Sequence, residues 1–153
     1  MKAKDLMTDD PGFCLSGDTL KKATEIMSER NCGFVPVVDA EMAVTGVITA
    51  RDVCVALAGR SKKASEIKAG DIGGSDAICC RPDDKIKDVL KMMKKKRVRR
   101  LPVRDGDKRL VGVLTIGDII HASERNKSLR KRTYSVLREL AKPRVIVLFE
   151  IPD

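Results

Sequence analysis

Two seven-residue stretches hold the side chains of this chain that are best suited to chemistry: Gly46-Val47-Ile48-Thr49-Ala50-Arg51-Asp52 and Gly112-Val113-Leu114-Thr115-Ile116-Gly117-Asp118. Each places a threonine hydroxyl three residues ahead of an aspartate, where an apolar run passes into a helical pattern. An ionised carboxylate offers two oxygens and can accept from both hydroxyls of a sugar diol. A threonine hydroxyl beside it can bond a ribose or phosphate oxygen. The free N–H groups and the dipole at a helix start favour an anion. One reading of this set is a binding site for a sugar phosphate, with no bond made or broken. The same Thr-x-x-Asp spacing is also a helix capping box, and a duplicated fold would duplicate its caps. On spacing alone both readings stand. The two copies differ between their ends, since Arg51 can reach a phosphate and Gly117 cannot.

The other reactive residues argue against catalysis. His121 is the single histidine, with no serine or cysteine placed as its partner, so a hydrolytic triad is not expected. No P-loop, HExxH or GxGxxG is present, and the chain reads as a non-enzyme without a cofactor. Cys14, Cys32, Cys54, Cys79 and Cys80 are odd in number and lack CxxC spacing. They are expected as small buried hydrophobes, not as metal ligands or disulfides. A thiol sensor at the vicinal pair Cys79-Cys80 is the weakest of the functions considered, because adjacent cysteines form strained disulfides.

Thirty-one lysines and arginines stand against 22 acidic residues, a net charge of +9. Such a chain attracts polyanions, whether nucleic acid or the phosphates of a small ligand. Aromatic residues make up 3% and tryptophan is absent, so platforms for stacking bases are nearly lacking. A basic adaptor for nucleic acid, using Lys94–Arg100 and Arg125–Lys142, is therefore the alternative function. No apolar run approaches the roughly 20 residues that span a bilayer, and no apolar stretch follows Met1–Asp5. The expected address is cytoplasmic, with no membrane partner.

The elements that position the two motifs are themselves duplicated. A shift of 66 residues, without gaps, lays Asp5 on Asp71, Cys14 on Cys80, Met27 on Met93, Pro36-Val37 on Pro102-Val103, Asp39 on Asp105 and Ala56 on Ala122. One supersecondary unit has been used twice. In the first unit, Phe13–Leu15 reads as a short strand, and Ser16-Gly17-Asp18 as a turn and helix start. Leu20, Ala23, Ile26 and Met27 form the apolar stripe of a helix. Phe34–Val38 and Val44–Ile48 make a hairpin, and Ala50–Ala58 is a helix with Gly59 as its stop. The second unit repeats this with Ile78–Arg81, Ile86–Lys96, Leu101–Arg104, Leu110–Leu114 and Ile116–Ser123. The expected fold is α/β (α+β): two β-α-β-β-α units packed with pseudo-twofold symmetry. The first unit with its polar linker covers 1–66, the second 67–123, and 124–153 adds a helix and a strand, Arg144–Ile151.

The paired motifs, the strands Phe34–Asp39 and Arg100–Asp105 and the segment Ala3–Thr8 together resemble the CBS motif family over about residues 1–123. The resemblance implies a Bateman module with two clefts, a regulatory sensor that takes AMP, ADP, ATP or S-adenosylmethionine. It implies that Asp52 and Asp118 hold ribose, with Thr49 and Thr115 beside them, whereas Arg51 and Gly117 depart from the family's usual small hydroxyl or variable residue. Ile78, Cys79, Cys80, Val98 and Arg99 would face Asp52, whereas Phe13, Cys14 and Gly33 would face Asp118. Arg99 or Arg100 would meet phosphate. It also implies a homodimer that signals to an effector protein. The second unit departs from the pattern where Gly73-Gly74-Ser75 replaces Met7-Thr8, so unequal clefts are expected.

Overall fold

The computed structural model describes residues 1–74 and 77–143. Ser75 and the expected strand Arg144–Ile151 lie outside the described residues. In the first half, β1 (Cys14–Leu15) runs parallel to β2 (Phe34–Val38), which pairs antiparallel with β3 (Val44–Thr49). Between β1 and β2, α1 (Leu20–Glu29) buries Leu20, Ala23, Ile26 and Met27, the stripe that its spacing predicts. Thr19 caps this helix by accepting from the Lys22 N–H at 3.2 Å. The expected starter Asp18 holds the preceding turn instead, its carboxylate accepting from the Leu15 N–H at 2.8 Å. Helix α2 (Ala50–Gly59) succeeds β3, with Gly59 its last residue and not a stop beyond it.

The second half repeats this plan with α3 (Ala69–Ile72), α4 (Ile86–Lys96), β4 (Arg100–Arg104), β5 (Leu110–Thr115) and α5 (Ile116–Ala122). The strand expected over Ile78–Arg81 is reduced to a single parallel bridge, Cys80 to Val103, the equivalent of Cys14 to Val37 in β1–β2. Asp39 and Asp105 shape the two hairpin turns alike. Each carboxylate accepts two backbone N–H bonds, from Glu41 and Ala43 in one turn and from Asp107 and Arg109 in the other.

The leading segments of the halves are exchanged. Ala3, Leu6 and Met7 pack into the core of the second half, whereas Ile67, Ala69 and Ile72 pack into that of the first. Thr8 pairs with Val113 through N–H···O bonds of 2.9 and 3.0 Å, and Val47 donates to Gly73 at 2.9 Å. That close approach explains the glycine opening each motif. A Cβ on Gly46 would collide with the Gly73 carbonyl oxygen, and one on Gly112 would lie 2.8 Å from that of Thr8.

The hairpin tips meet across the pseudo-twofold axis: Val44 donates to Lys108 at 3.0 Å and Leu110 to Met42 at 2.9 Å. The two cores thus share two exchanged segments and one joined pair of turns. Helix α6 (Lys127–Leu140) breaks the symmetry. Asn126 caps it, and its Leu129, Thr133 and Val136 are buried in the second core, mainly against α4.

Candidate functional site

Where the halves meet, a cavity of about 600 Å³ opens between the end of β3 and the start of β4. One wall comes from Gly33, Phe34, Val47, Thr49, Ala50 and Arg51, and the other from Arg97, Val98, Arg99, Arg100, Leu101 and Pro102. Gly73, Ala77 and Ile78, at and just beyond the end of the exchanged segment, close the floor. Its volume is that of a small-molecule site.

The cavity is electropositive. Four arginines line it, and among the described residues no lining side chain is acidic. Arg97 is committed elsewhere: it donates to the Lys142 carbonyl at 2.7 Å and pairs with Glu139 at 3.8 Å. The side chains of Arg51, Arg99 and Arg100 make no hydrogen bond or ion pair among the described residues. By the 66-residue shift, Arg99 occupies the position of Gly33 and Arg100 that of Phe34. In each half the backbone at this position does the same work, since Gly33 accepts from the Ala50 N–H and Arg99 from the Ile116 N–H. The backbone frame is shared, while the positive charge at this pair of positions belongs to the second half.

Both Thr-Asp pairs form complete capping boxes. Asp52 Oδ2 accepts from the Thr49 N–H at 2.7 Å and from its hydroxyl at 2.6 Å, while Thr49 Oγ1 accepts from the Asp52 N–H at 3.3 Å. The corresponding distances for Thr115 and Asp118 are 2.7, 2.8 and 3.3 Å. In each aspartate Oδ1 makes no hydrogen bond among the described residues. Thr49 and Arg51 line the cavity, whereas Asp52 lies behind them, facing a smaller depression between α2 and α3.

Of the residues singled out from sequence, Thr49, Arg51, Ile78, Val98, Arg99, Arg100 and Gly33 come together along this one cavity. Gly33 thus shares a cavity with Thr49, not with Asp118. Phe13, Cys14, Asp52, Cys79, Cys80, Thr115 and Asp118 do not line it. Cys14 and Cys80 are buried in the two cores, and Phe13 is exposed. Burial pushes the Cys14 thiol up to about 11 and the Cys80 thiol up to about 12, and it raises that of half-buried Cys79. Thiols so shifted are poor nucleophiles at neutral pH. His121 is exposed, 3.7 Å from Glu124. Gly73, Ala77 and Arg97 were missed, because their approach depends on the segment exchange and on the left-handed turn at Arg97, φ 53°.

The family model of the CBS domain matches twice, over residues 3–59 and 69–125. The inosine-5′-monophosphate dehydrogenase of Methanocaldococcus jannaschii is 33% identical over 117 residues, 76% of this chain, but the match spans only 21% of that enzyme. The protein YlbB of Bacillus subtilis is 33% identical over 128 residues, covering 82% of this chain and 84% of that one. Among solved structures, the CBS domain pair of protein MJ0100, in complex with 5′-methylthioadenosine and S-adenosyl-L-methionine, is 28% identical with a TM-score of 0.71. That likeness covers 83% of this chain and 98% of the other.

Proposed function

This chain belongs to the CBS domain family as a tandem pair, and from that premise we propose that it is a regulatory module that binds a phosphorylated adenosine nucleotide in the cavity between its halves. The observation that carries the reading is the arginine lip. Arg51, Arg99 and Arg100 surround a nucleotide-sized space that has neither a counter-ion nor a lining carboxylate among the described residues. Guanidinium groups match phosphate oxygens in pairs. The related MJ0100 pair holds two adenosine compounds, and adenosine is the part those ligands share with AMP, ADP and ATP. S-adenosylmethionine offers three arginines one carboxylate against a sulfonium and an ammonium, so here the more anionic nucleotides rank ahead of it.

The purine lies against Ile78, Val98 and Val47. Asp52 stands behind Thr49 and Arg51, and its Oδ1, the oxygen its cap leaves over, takes a ribose hydroxyl at the cavity's edge, while Arg51, Arg99 and Arg100 take the phosphates. Because the ligand touches both halves, it favours the packing that closes the cavity. That preference is the only source of a signal to a partner. The partner includes a second copy of this chain: α2 leaves Val55 and Leu57 62% and 40% exposed, and with exposed Cys54 and Ala58 between them around the helix they form an apolar face suited to a homodimer. Sedimentation of the parent as a dimer and of Val55→Glu as a monomer supports this contact, and a monomeric parent refutes it.

A thermal-shift series with AMP, ADP, ATP, S-adenosylmethionine and GMP tests the ligand. At about 100 times its Kd a ligand adds about 2.7 kcal/mol, a rise of roughly 5–10 °C for a chain of this size. Adenine nucleotides should raise the melting temperature more than S-adenosylmethionine or GMP. No shift with any adenine nucleotide, or an equal one with GMP, refutes the reading.

A further inference from the structure

The positive charge is unevenly placed. Residues 1–66 hold nine basic and ten acidic side chains, whereas 67–153 hold 22 basic and 12 acidic. Much of this excess lies on α6. Lys127, Arg130, Lys131, Arg132 and Arg138 are exposed and make no ion pair among the described residues. The one carboxylate of the helix, Glu139, is taken by Lys142 at 2.8 Å and Arg97 at 3.8 Å.

The only tyrosine of the chain stands within this patch. Tyr134 is 67% exposed, the most exposed large apolar side chain described. Lys127, Lys131 and Arg138 lie at i−7, i−3 and i+4 from it, and Arg130 at i−4, so helical geometry places all four on its face. Beside it, a groove of about 300 Å³ between α5 and α6 is walled by Ile120, Tyr134 and Leu137, with Arg130 and Glu124 at its rim.

We propose that this face of α6 binds single-stranded nucleic acid, with the phosphates along Lys127, Lys131 and Arg138 and one base stacked on Tyr134 beside the groove. An exposed aromatic ring among cations serves a strand whose bases are free to stack. A duplex keeps its bases stacked on one another. A membrane-lying helix needs a broad apolar face on its outer side, but Leu129, Val136 and Leu137 of α6 are turned to the core. Glu124 repels phosphate, so the backbone follows the basic stripe and only the base enters the groove. This site is separate from the arginine-lined cavity and does not depend on what that cavity holds.

The test is fluorescence anisotropy of the full chain with a labelled 20-nucleotide single-stranded RNA of mixed sequence, between 50 and 300 mM NaCl. Neutralising about four phosphates gives a slope of log affinity against log salt near −3. Y134A should weaken binding at least about fivefold with the slope unchanged, and Y134F should restore it. K131E and R138E should weaken binding strongly, whereas K22E, the same charge change on α1, should have little effect. The proposal is overturned by absence of binding at 50 mM NaCl, by Y134A binding like the parent, or by K22E weakening binding as much as R138E. Equal competition, charge for charge, by polyglutamate or phosphatidylserine vesicles would also overturn it.

Discussion

Asp52 Oδ2 lies 2.6 Å from the hydroxyl of Thr49 and 2.7 Å from its backbone nitrogen, so the acidic side chain of the first motif is committed through one oxygen to its own helix start. Capping and ligand binding are therefore divided between the two oxygens of one carboxylate. Asp52→Ala removes both roles. It should lower stability by about 1 kcal/mol, or roughly 2–4 °C in melting temperature, and abolish the nucleotide-induced shift. Asp118→Ala should cost as much stability but keep the shift, since Asp118 belongs to the other half's motif, whereas Asp52 directly follows Arg51 at the edge of the arginine cavity. Differential scanning fluorimetry with and without ATP separates the two effects; equal loss of the shift in both variants would contradict the division.

Arg99 and Arg100 stand where the first half carries Gly33 and Phe34, so the lip's charge can be removed without touching a cap. Replacing both by alanine should weaken ATP more than AMP, because each added phosphate loses a guanidinium partner. With about 1.5–3 kcal/mol for a hydrogen bond to a charged group, the expected loss for ATP exceeds tenfold in Kd. Calorimetric titration of both nucleotides measures it. A uniform loss across AMP and ATP would place the phosphates elsewhere.

Much of this was legible in the sequence because it is local. The 66-residue period, the stripe of α1, the hairpins and the two Thr-x-x-Asp caps are set by neighbours a few residues apart. The core that a leading segment joins is a long-range matter. Ala3 and Ile67 each open a short segment of mixed apolar and charged residues, and nothing within either segment says that Ala3 joins the core of Cys80 or Ile67 that of Leu20. That exchange brings Gly73 and Ala77 to the cavity floor, and the left-handed turn at Arg97 brings a third lining residue, so none of the three is legible in the sequence. Thr49, Arg51, Ile78, Val98, Arg99 and Arg100 were found because motif and strand positions repeat. Asp18, expected to start a helix, is the opposite error, since a carboxylate that can cap can also brace the turn before the cap.

The exchange makes its own prediction at the motif glycines. A Cβ at Gly46 meets two backbone carbonyls, those of Gly73 and Gly74, and backbone cannot step aside without breaking the Val47–Gly73 hydrogen bond. At Gly112 the nearest atoms include the flexible Met7 side chain as well as the Thr8 carbonyl. Gly46→Ala should therefore destabilise by about 2–3 kcal/mol and Gly112→Ala by about 1 kcal/mol. Urea unfolding gives both values, and the reverse order would contradict the contact geometry.

The buried thiols set how stability falls in alkali. Cys80 is held protonated up to about 12, by burial first and then by Asp84 and Cys79; Cys14 is held up to about 11, by burial and then by Asp18. In the unfolded chain both ionise near 9. Below that pH each thiol is protonated in both states and stability does not depend on it. Between 9 and the raised value only the unfolded chain loses its proton, so stability falls as pH rises, by at most about 1.4 kcal/mol per pH unit for each thiol. Cys80→Ala should then show a shallower decline than the parent between pH 9 and 10.5, whatever its stability at pH 8. At pH 7.5 a maleimide should label exposed Cys54 first and leave Cys14 and Cys80 unmodified until the chain is unfolded. Parallel decline of the two pH curves, or early labelling of Cys80, would mean that the second core admits water around this thiol.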